Sequence, residues 1–355
     1  MSDNIEIISV YMQNADNMRA IQLPDGRFHK SHPKFQFIFR VDSIVKNIRM
    51  SQADIVGLCE LDNAGRDLII EKLSALGYTC QYGQYSPGDE RTFNFVIGYT
   101  DKFKYVSHRM IWFTSTPEIP LKDENRPAKS VNDNTHWDPV LALQKNSEFE
   151  KGSLITIFES ASGRRFLVSV NHFGLQFPYN KISSEVLFDR VEKIKIEYNV
   201  EHVIIGGDFN TFGFENSKST LVKMPRELEI FAGKYKRSNP QTSSTAEPIG
   251  FTFVGHCYDL GLGVDPSVLE KFYKLTNVQE QRVHLGEDIL RRYPNLLRSV
   301  LDHVLYCGFT EMESRILIPS NLCEPDLTEQ FKKSYIEGMP MAPSDHMPIF
   351  VTMRF

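Results

Sequence analysis

Cysteine is scarce in this chain of 355 residues: Cys59, Cys80, Cys257, Cys307 and Cys323 are odd in number, scattered and without Cys-x-x-Cys spacing. That usage argues against a thiolate zinc site and against a disulfide framework, and it fits a reducing compartment. Long apolar runs are missing too. No uninterrupted stretch approaches the ~20 residues that cross a bilayer. The opening Met-Ser-Asp-Asn-Ile-Glu has no basic segment leading into an apolar one. The expectation is therefore a cytoplasmic protein with no secretory signal and no membrane span. An excess of one charge is also lacking: 40 Lys plus Arg stand against 45 Asp plus Glu, a net charge of −5. This excludes a strongly basic surface gripping nucleic acid, so any polyanionic partner has to be held locally.

What is present is ordinary for a folded chain. A hydrophobic share of 41% and a charged share of 24% exclude disordered, collagen-like and coiled-coil proteins. The length suits one large domain, 1–355, with insertions. Period-two or fully apolar runs predict strands at Ile5–Tyr11, Asp54–Cys59, Tyr78–Tyr82, Phe93–Tyr99, Tyr105–Phe113, Ser153–Phe158, Phe166–Val170 and His202–Gly206. Val304–Tyr306 and Ile349–Met353 read as the last two. Helical spacing predicts helices at Phe37–Ile48, with Val41, Ile44, Val45 and Ile48 on one stripe, and at about Asp62–Leu76. A third covers Asn180–Tyr198, with Ile182, Val186, Val191 and Ile194 as its inner side. Thr114–Asp138 is polar and reads as a surface loop. Phe212–Ser299 is irregular and reads as an insertion. Strands and helices mix in each half of the chain. The expected fold is a four-layered α/β/β/α sandwich, two facing mixed sheets with helices outside.

Acidic, amide and imidazole residues gather where these strands end. Glu60 closes the run Ile55–Cys59, while Asp208 and Asn210 follow Val203–Gly207. Asp302 opens Val304–Tyr306, and Asp345 and His346 precede Met347–Phe350. Asn14 follows the first strand and His172 the run Leu167–Val170. Singly, each is an ordinary turn or packed residue, and His202, His256, His284 and His303 are read that way. Together, eight such residues from six strands can line one cleft. Converging carboxylates repel, and their desolvation is costly, unless a cation neutralises them. A dense oxygen donor set points to Mg2+ or Mn2+.

The residues resemble the metal-dependent endonuclease/exonuclease/phosphatase superfamily, from the first strand to the last. The resemblance is carried by Gly207-Asp208-Phe209-Asn210 and the distant Ser344-Asp345-His346-Met347-Pro348. Leu301–Tyr306, Asp54–Glu60 and Asn171-His172-Phe173 add to it. It implies Glu60 as principal Mg2+ ligand, with Asn14 and Asp345 nearby. It implies that Asp208 and Asn210 position and deprotonate the attacking water or stabilise the leaving oxygen. His346, oriented by Asp302 or Asp345, would donate to the phosphate together with His172. Three positions depart from the pattern. Cys59 replaces a glutamine, Gln13 stands where an aromatic is common, and Pro139-Val140-Leu141-Ala142 takes the place of an arginine expected soon after Trp137-Asp138.

Three functions compete. The first is a nuclease or nucleotide phosphodiesterase, suggested by the deadenylase-like Phe93–Phe103. Basic clusters at Lys234/Lys236/Arg237 and Arg291/Arg292/Arg298 would hold a phosphate backbone, with Tyr235 or Tyr293 as a stacking face. Such clusters are as often solvated helix faces. The second is an inositol-phosphate phosphatase or sphingomyelinase-like phospholipase. Against it, Ile205 replaces a tryptophan and Thr211-Phe212 replace the Tyr-Arg pair of the 5-phosphatases. The third is a binding protein that keeps the fold without catalysis, disfavoured by the competent residues at every site position.

Overall fold

The computed structural model describes residues 5–15, 21–22, 28–29, 37–87, 93–113, 117–120, 151–174, 179–211, 225–238, 241–242, 301–316, 344, 346 and 348–355. One sheet has seven strands. Their order is β12 (Gln241–Thr242), β14 (Thr310–Ile316), β15 (Ile349–Arg354), β1 (Ile7–Asn14), β4 (Ile55–Leu61), β6 (Asn94–Tyr99) and β5 (Thr79–Gln84). The other has six, in the order β11 (Lys236–Arg237), β13 (Asp302–Cys307), β10 (His202–Asp208), β9 (Arg165–His172), β8 (Gly152–Glu159) and β7 (Lys104–Trp112). β2 (Ile21–Gln22) pairs with β3 (Phe28–His29) apart from both.

Strand alternation builds the layers. Ile8, Val10 and Met12 of β1 and Phe166, Val168 and Val170 of β9 point between the sheets, where they form one buried core. Their neighbours point outward. Tyr11, Val56 and Val96 pack under helices α1 (Phe37–Ser51) and α2 (Asn63–Ala75). Leu167, Val203 and Ile205 pack under α3 (Tyr179–Tyr198). Each fully buried aliphatic or aromatic side chain stabilises by roughly 1.5–3 kcal/mol, so both faces of both sheets contribute. The result is the four-layered α/β/β/α sandwich. Met12 sits between two glycines, one on each sheet. A Cβ at Gly206 would stand 2.7 Å from Met12 Cγ, and one at Gly57 would overlap Met12 Sδ.

Two parallel pairs decide where the strand ends meet. β1 runs parallel to β4, and β9 parallel to β10. Parallel neighbours finish at the same edge, so the carboxyl ends of both pairs open on one rim, the customary place for a ligand in such sheets. β13 runs antiparallel to β10 and starts where β10 ends, with Asp302 opposite Asp208.

Two expectations need correcting. β14 intervenes between the two strands read as the last. Its sequence, Thr-Glu-Met-Glu-Ser-Arg-Ile, is too polar to signal a strand, and it forms because β15 supplies the backbone partners. The buried side of α3 is Ser183, Ser184, Leu187, Val191 and Ile194. Ile182 and Val186 are half-buried instead, because the helix docks through hydroxyls: Ser184 Oγ donates to Glu227 O at 2.7 Å, and Ser183 Oγ accepts from Gly174 N–H at 3.3 Å. No helix among the described residues is long and apolar enough to cross a membrane.

Candidate active site

The backbone at the rim is strained at two of the candidate residues. Glu60 and Asn210 adopt left-handed conformations, φ 61° and 47°. Such a state costs a non-glycine residue about 1–3 kcal/mol and persists only where the surroundings impose it. Gly207 has φ 123°, and a Cβ there would stand 2.7 Å from Asn171 N and closer still to Asn171 O. Glycine is required at that point because β10 lies tight against β9.

These turns bring side chains from both sheets together. Asn14 Nδ2 donates to Glu60 Oε2 at 2.7 Å and to Asp208 Oδ2 at 3.1 Å, bridging the sheets. His172 Nε2 lies 3.5 Å from Asp208 Oδ2 and 3.8 Å from Glu60 Oε2. His346 Nδ1 donates to Asp302 Oδ2 at 2.7 Å, which leaves Nε2 turned toward Asp208 Oδ2 at 3.9 Å. The other Asp208 oxygen, Oδ1, accepts the Asn210 backbone N–H at 2.8 Å. Asn210 Nδ2 donates to Phe173 O at 2.8 Å, and Asn210 O accepts from Asn180 Nδ2 at 2.8 Å. Asn210 thus holds the turn and one carboxylate oxygen.

Burial sets the protonation states. Desolvation pushes the Asp208 carboxyl up to about 7; the nearby His346 pulls it back and Asp302 adds to the rise. His172 is held well below the ordinary histidine range, first by burial, then by Lys151 and His346. Its ring is therefore neutral. Lys151 Nζ touches His172 Nε2 directly. Burial lowers the lysine, while Glu60 and Asp208 act in the opposite direction.

The ligand atoms of Glu60, His172 and Asp208 lie within 4.8 Å of one another, as do those of Asp208, Asp302 and His346. Carboxylates converge from both sheets, joined by an amide, in a setting that presses one of them to keep its proton. That donor set fits a hard divalent cation such as Mg2+ or Mn2+.

The structure brings Asn14, Glu60, His172, Asp208, Asn210, Asp302 and His346 to one rim. Asp345 lies outside the described residues, as do Trp137-Asp138 and the Arg291–Arg298 cluster with Tyr293. Of the two residues considered as orienters of His346, Asp302 is seen to do so. The departure at position 13 has a structural use. Tyr11 OH donates to Gln13 Oε1 at 2.5 Å, and Gln13 Nε2 donates to His346 O at 3.0 Å. Ser344 Oγ donates to Asn14 O at 2.8 Å and accepts from His346 N–H at 3.1 Å, which ties the last motif to the first strand. Cys59 points into the core, its thiol pushed well up by burial and then by Asp208, Asp302 and Glu60.

Sequence reasoning missed Lys151, a buried cation beside the acids; its only signal is a lysine opening an apolar strand at this rim. The basic cluster Lys234/Lys236/Arg237 is split, with Lys234 and Lys236 exposed and Arg237 half-buried. Lys234 pairs with Glu192 at 2.9 Å on α3. Arg237 turns inward, donating from Nε to His303 Nδ1 at 3.0 Å. Tyr235 is buried and donates to Glu192 Oε1 at 2.8 Å, so it offers no stacking face.

No family model and no curated protein matches the sequence. Solved structures do match over nearly the whole chain. An endonuclease/exonuclease/phosphatase family protein of Bacteroides thetaiotaomicron is similar at 15% identity, covering 99% of both chains, with a TM-score of 0.62. A mannosyl-6-phosphatase of the same organism is 15% identical, covering 98% of this chain and 100% of that one, with a TM-score of 0.61. The catalytic domain of human Nocturnin with bound sulfate is 16% identical over 99% and 96%, with a TM-score of 0.54. The chain has the endonuclease/exonuclease/phosphatase fold.

Proposed function

We propose that the protein is a divalent-metal-dependent hydrolase of phosphoric esters, and within that class a nuclease or nucleotide phosphodiesterase. The observation that carries this reading is the meeting of Glu60 with Asp208, His172 and His346, contributed by facing sheets and linked through Asn14. Glu60 would hold Mg2+, with Asn14 and Asp345 beside it, and Mn2+ would substitute. The bound cation would supply Lewis-acid neutralisation of phosphoryl oxygens.

The chain's own residues do the rest. With Oδ1 tied to Asn210, Asp208 keeps Oδ2 to take the proton of an attacking water. His346, oriented by its Nδ1–H bond to Asp302, would as the imidazolium donate from Nε2 to the phosphoryl group as charge develops. Each such step is typically worth ~10²–10⁴-fold. The Lys151 ammonium, with the neutral His172 ring beside it, would face a non-bridging oxygen and attract the anion. The Phe212–Ser299 insertion would shape specificity within a single domain.

A phosphatase acting on a sugar or inositol phosphate is the second reading, favoured by the similarity to the mannosyl-6-phosphatase. Hydrolysis of bis-p-nitrophenyl phosphate with Mg2+ or Mn2+, abolished by EDTA, is the expected result. No turnover with any divalent ion would leave a binding protein. Single-stranded RNA, duplex DNA, mannose 6-phosphate, inositol phosphates and sphingomyelin compared side by side then separate nuclease from phosphatase and lipase.

A further inference from the structure

Glu60 reaches the site because β4 carries one residue too many. Leu58 faces Val96 on β6, but the next pair is Leu61 with Asn94, so β4 advances three residues while β6 advances two. Glu60 lies in this bulge at φ 61°, a geometry that bulges ordinarily give to glycine. A glutamate stays there only while its flanks are held.

The flank on the C-terminal side is clamped by a side chain. Asn94 is fully buried, and its Nδ2 donates to Leu61 O at 3.0 Å. The same amide is fixed at both ends: Nδ2 also donates to Asn63 Oδ1 at 3.0 Å, and Oδ1 accepts from Arg66 Nη1 at 3.1 Å. Asn63 Oδ1 in turn collects Gln84 Nε2 at 2.9 Å and Arg66 Nη1 at 3.1 Å. Arg66 lies over the Tyr82 ring, 4.7 Å from its centroid. The Asn94 amide, braced by Asn63 and Arg66 of the first turn of α2, thus holds the carbonyl next to Glu60.

We propose that Asn94 is a positioning residue for the metal site: by clamping the Leu61 carbonyl it keeps Glu60 in its left-handed turn, with the carboxylate aimed at Asn14, and so sets the affinity for a divalent cation. Without the clamp the bulge relaxes toward regular extended backbone. Side chains there alternate between faces, so Glu60 is carried away from Asn14. Partners that orient a ligand from behind typically change metal affinity 10–100-fold when removed. The proposal rests on Glu60 being a ligand.

Mn2+ binding, read by electron paramagnetic resonance and calorimetry, separates the two claims. Asn94→Asp keeps the shape and the acceptor for Arg66 but loses the donor to Leu61 O. Asn94→Leu loses both. We expect each to weaken Mn2+ about tenfold, with turnover of bis-p-nitrophenyl phosphate reduced at limiting Mn2+ and recovered at saturating Mn2+. Gln84→Ala, which leaves the clamp intact, should stay within twofold of wild type. A merely structural amide would lower the melting temperature without moving Mn2+ affinity in the folded variant, and that result overturns the proposal. Should neither Asn94 variant fold, Asn63→Ala removes an acceptor that orients the amide and is judged by the same criteria. A wild-type protein that binds no Mn2+ removes the metal site, and the clamp with it.

Discussion

The two strand ends that bring carboxylates to the site, β4 and β10, leave their sheets by different means. β4 bulges, and around its turn at Glu60 a backbone bond from Ala15 N–H to Cys59 O, 2.9 Å, is joined by the Asn94 amide on Leu61 O. β10 keeps register to its last residue, pairing Asp208 with His172 on one side and Asp302 on the other. Its turn comes later, at Asn210; backbone bonds fix the strand end on both sides, and side chains close the turn itself. Asp208 O accepts Phe173 N–H at 2.9 Å, Phe209 N–H donates to Leu301 O at 2.8 Å, and Asp208 Oδ1 accepts Asn210 N–H at 2.8 Å. Gly207 allows this by lying on the Asn171 backbone. A strand end kept in register by backbone on both sides tolerates little adjustment, whereas one that leaves its ladder at a bulge can be detuned through the side chain that clamps it. The first would suit Asp208 as the proposed proton acceptor, whose geometry must be fixed, and the second Glu60 as the proposed ligand.

The largest effect should come from the β10 side. Asp208→Ala and His346→Ala should each lower kcat by on the order of 10³-fold or more with the circular dichroism spectrum unchanged. Wild-type turnover in either variant would mean that the roles are misassigned. Gly207→Ala is the next test, and it reads folding. The substitution meets both a forbidden φ and the Asn171 backbone, so urea unfolding should show a loss of about 3 kcal/mol. A loss below ~0.5 kcal/mol would show that β10 relaxes easily and would dissolve the contrast with β4.

The rim itself was legible. Apolar runs ending in Glu60, His172 and Asp208 have few places to go except the edge of a buried sheet, and the polar residues follow from that. The turn geometry was not legible. Nothing in Leu58-Cys59-Glu60-Leu61 announces a bulge, because the residue that takes the left-handed state is a glutamate rather than a glycine. Lys151 also escaped, since its burial depends on β8 pairing with β9, Gly152 opposite His172, and not on local spacing. The cluster at 234–237 divides for a related reason. Charges adjacent in sequence diverge once Tyr235 packs inward against α3 and Arg237 passes under β13, where burial pulls the guanidinium down to about 10. Ser344 and Asn14 are 330 positions apart, and no local pattern reports such a contact.

Lys151 belongs to neither strand end and shows what each contributes to the field between them. Its neighbours Glu60 and Asp208 favour its charged form against burial. Lys151→Gln should therefore lower kcat/KM about tenfold, ~1.4 kcal/mol, mainly through a raised KM for an anionic substrate. A neutral substrate analogue that lost affinity to the same extent would argue for packing instead of charge.

The smallest effect is the one that most directly separates the two turns. Glu60→Gly removes the left-handed strain at the bulge, because glycine adopts φ near +60° without a Cβ penalty. It also removes a carboxylate that faces Asp208 across Asn14. Against these gains stand the lost Asn14–Glu60 hydrogen bond, the lost attraction of Glu60 to the buried Lys151 and the greater freedom of glycine in the unfolded chain. In the absence of divalent ions the balance should favour the variant by about 1 kcal/mol in urea unfolding. With Mn2+ present the order should reverse, since only the wild type gains stability from binding the ion. A metal-free variant less stable than wild type would mean that the left-handed turn at Glu60 is relaxed rather than held, and the bulge would then resemble β10 more than it differs from it.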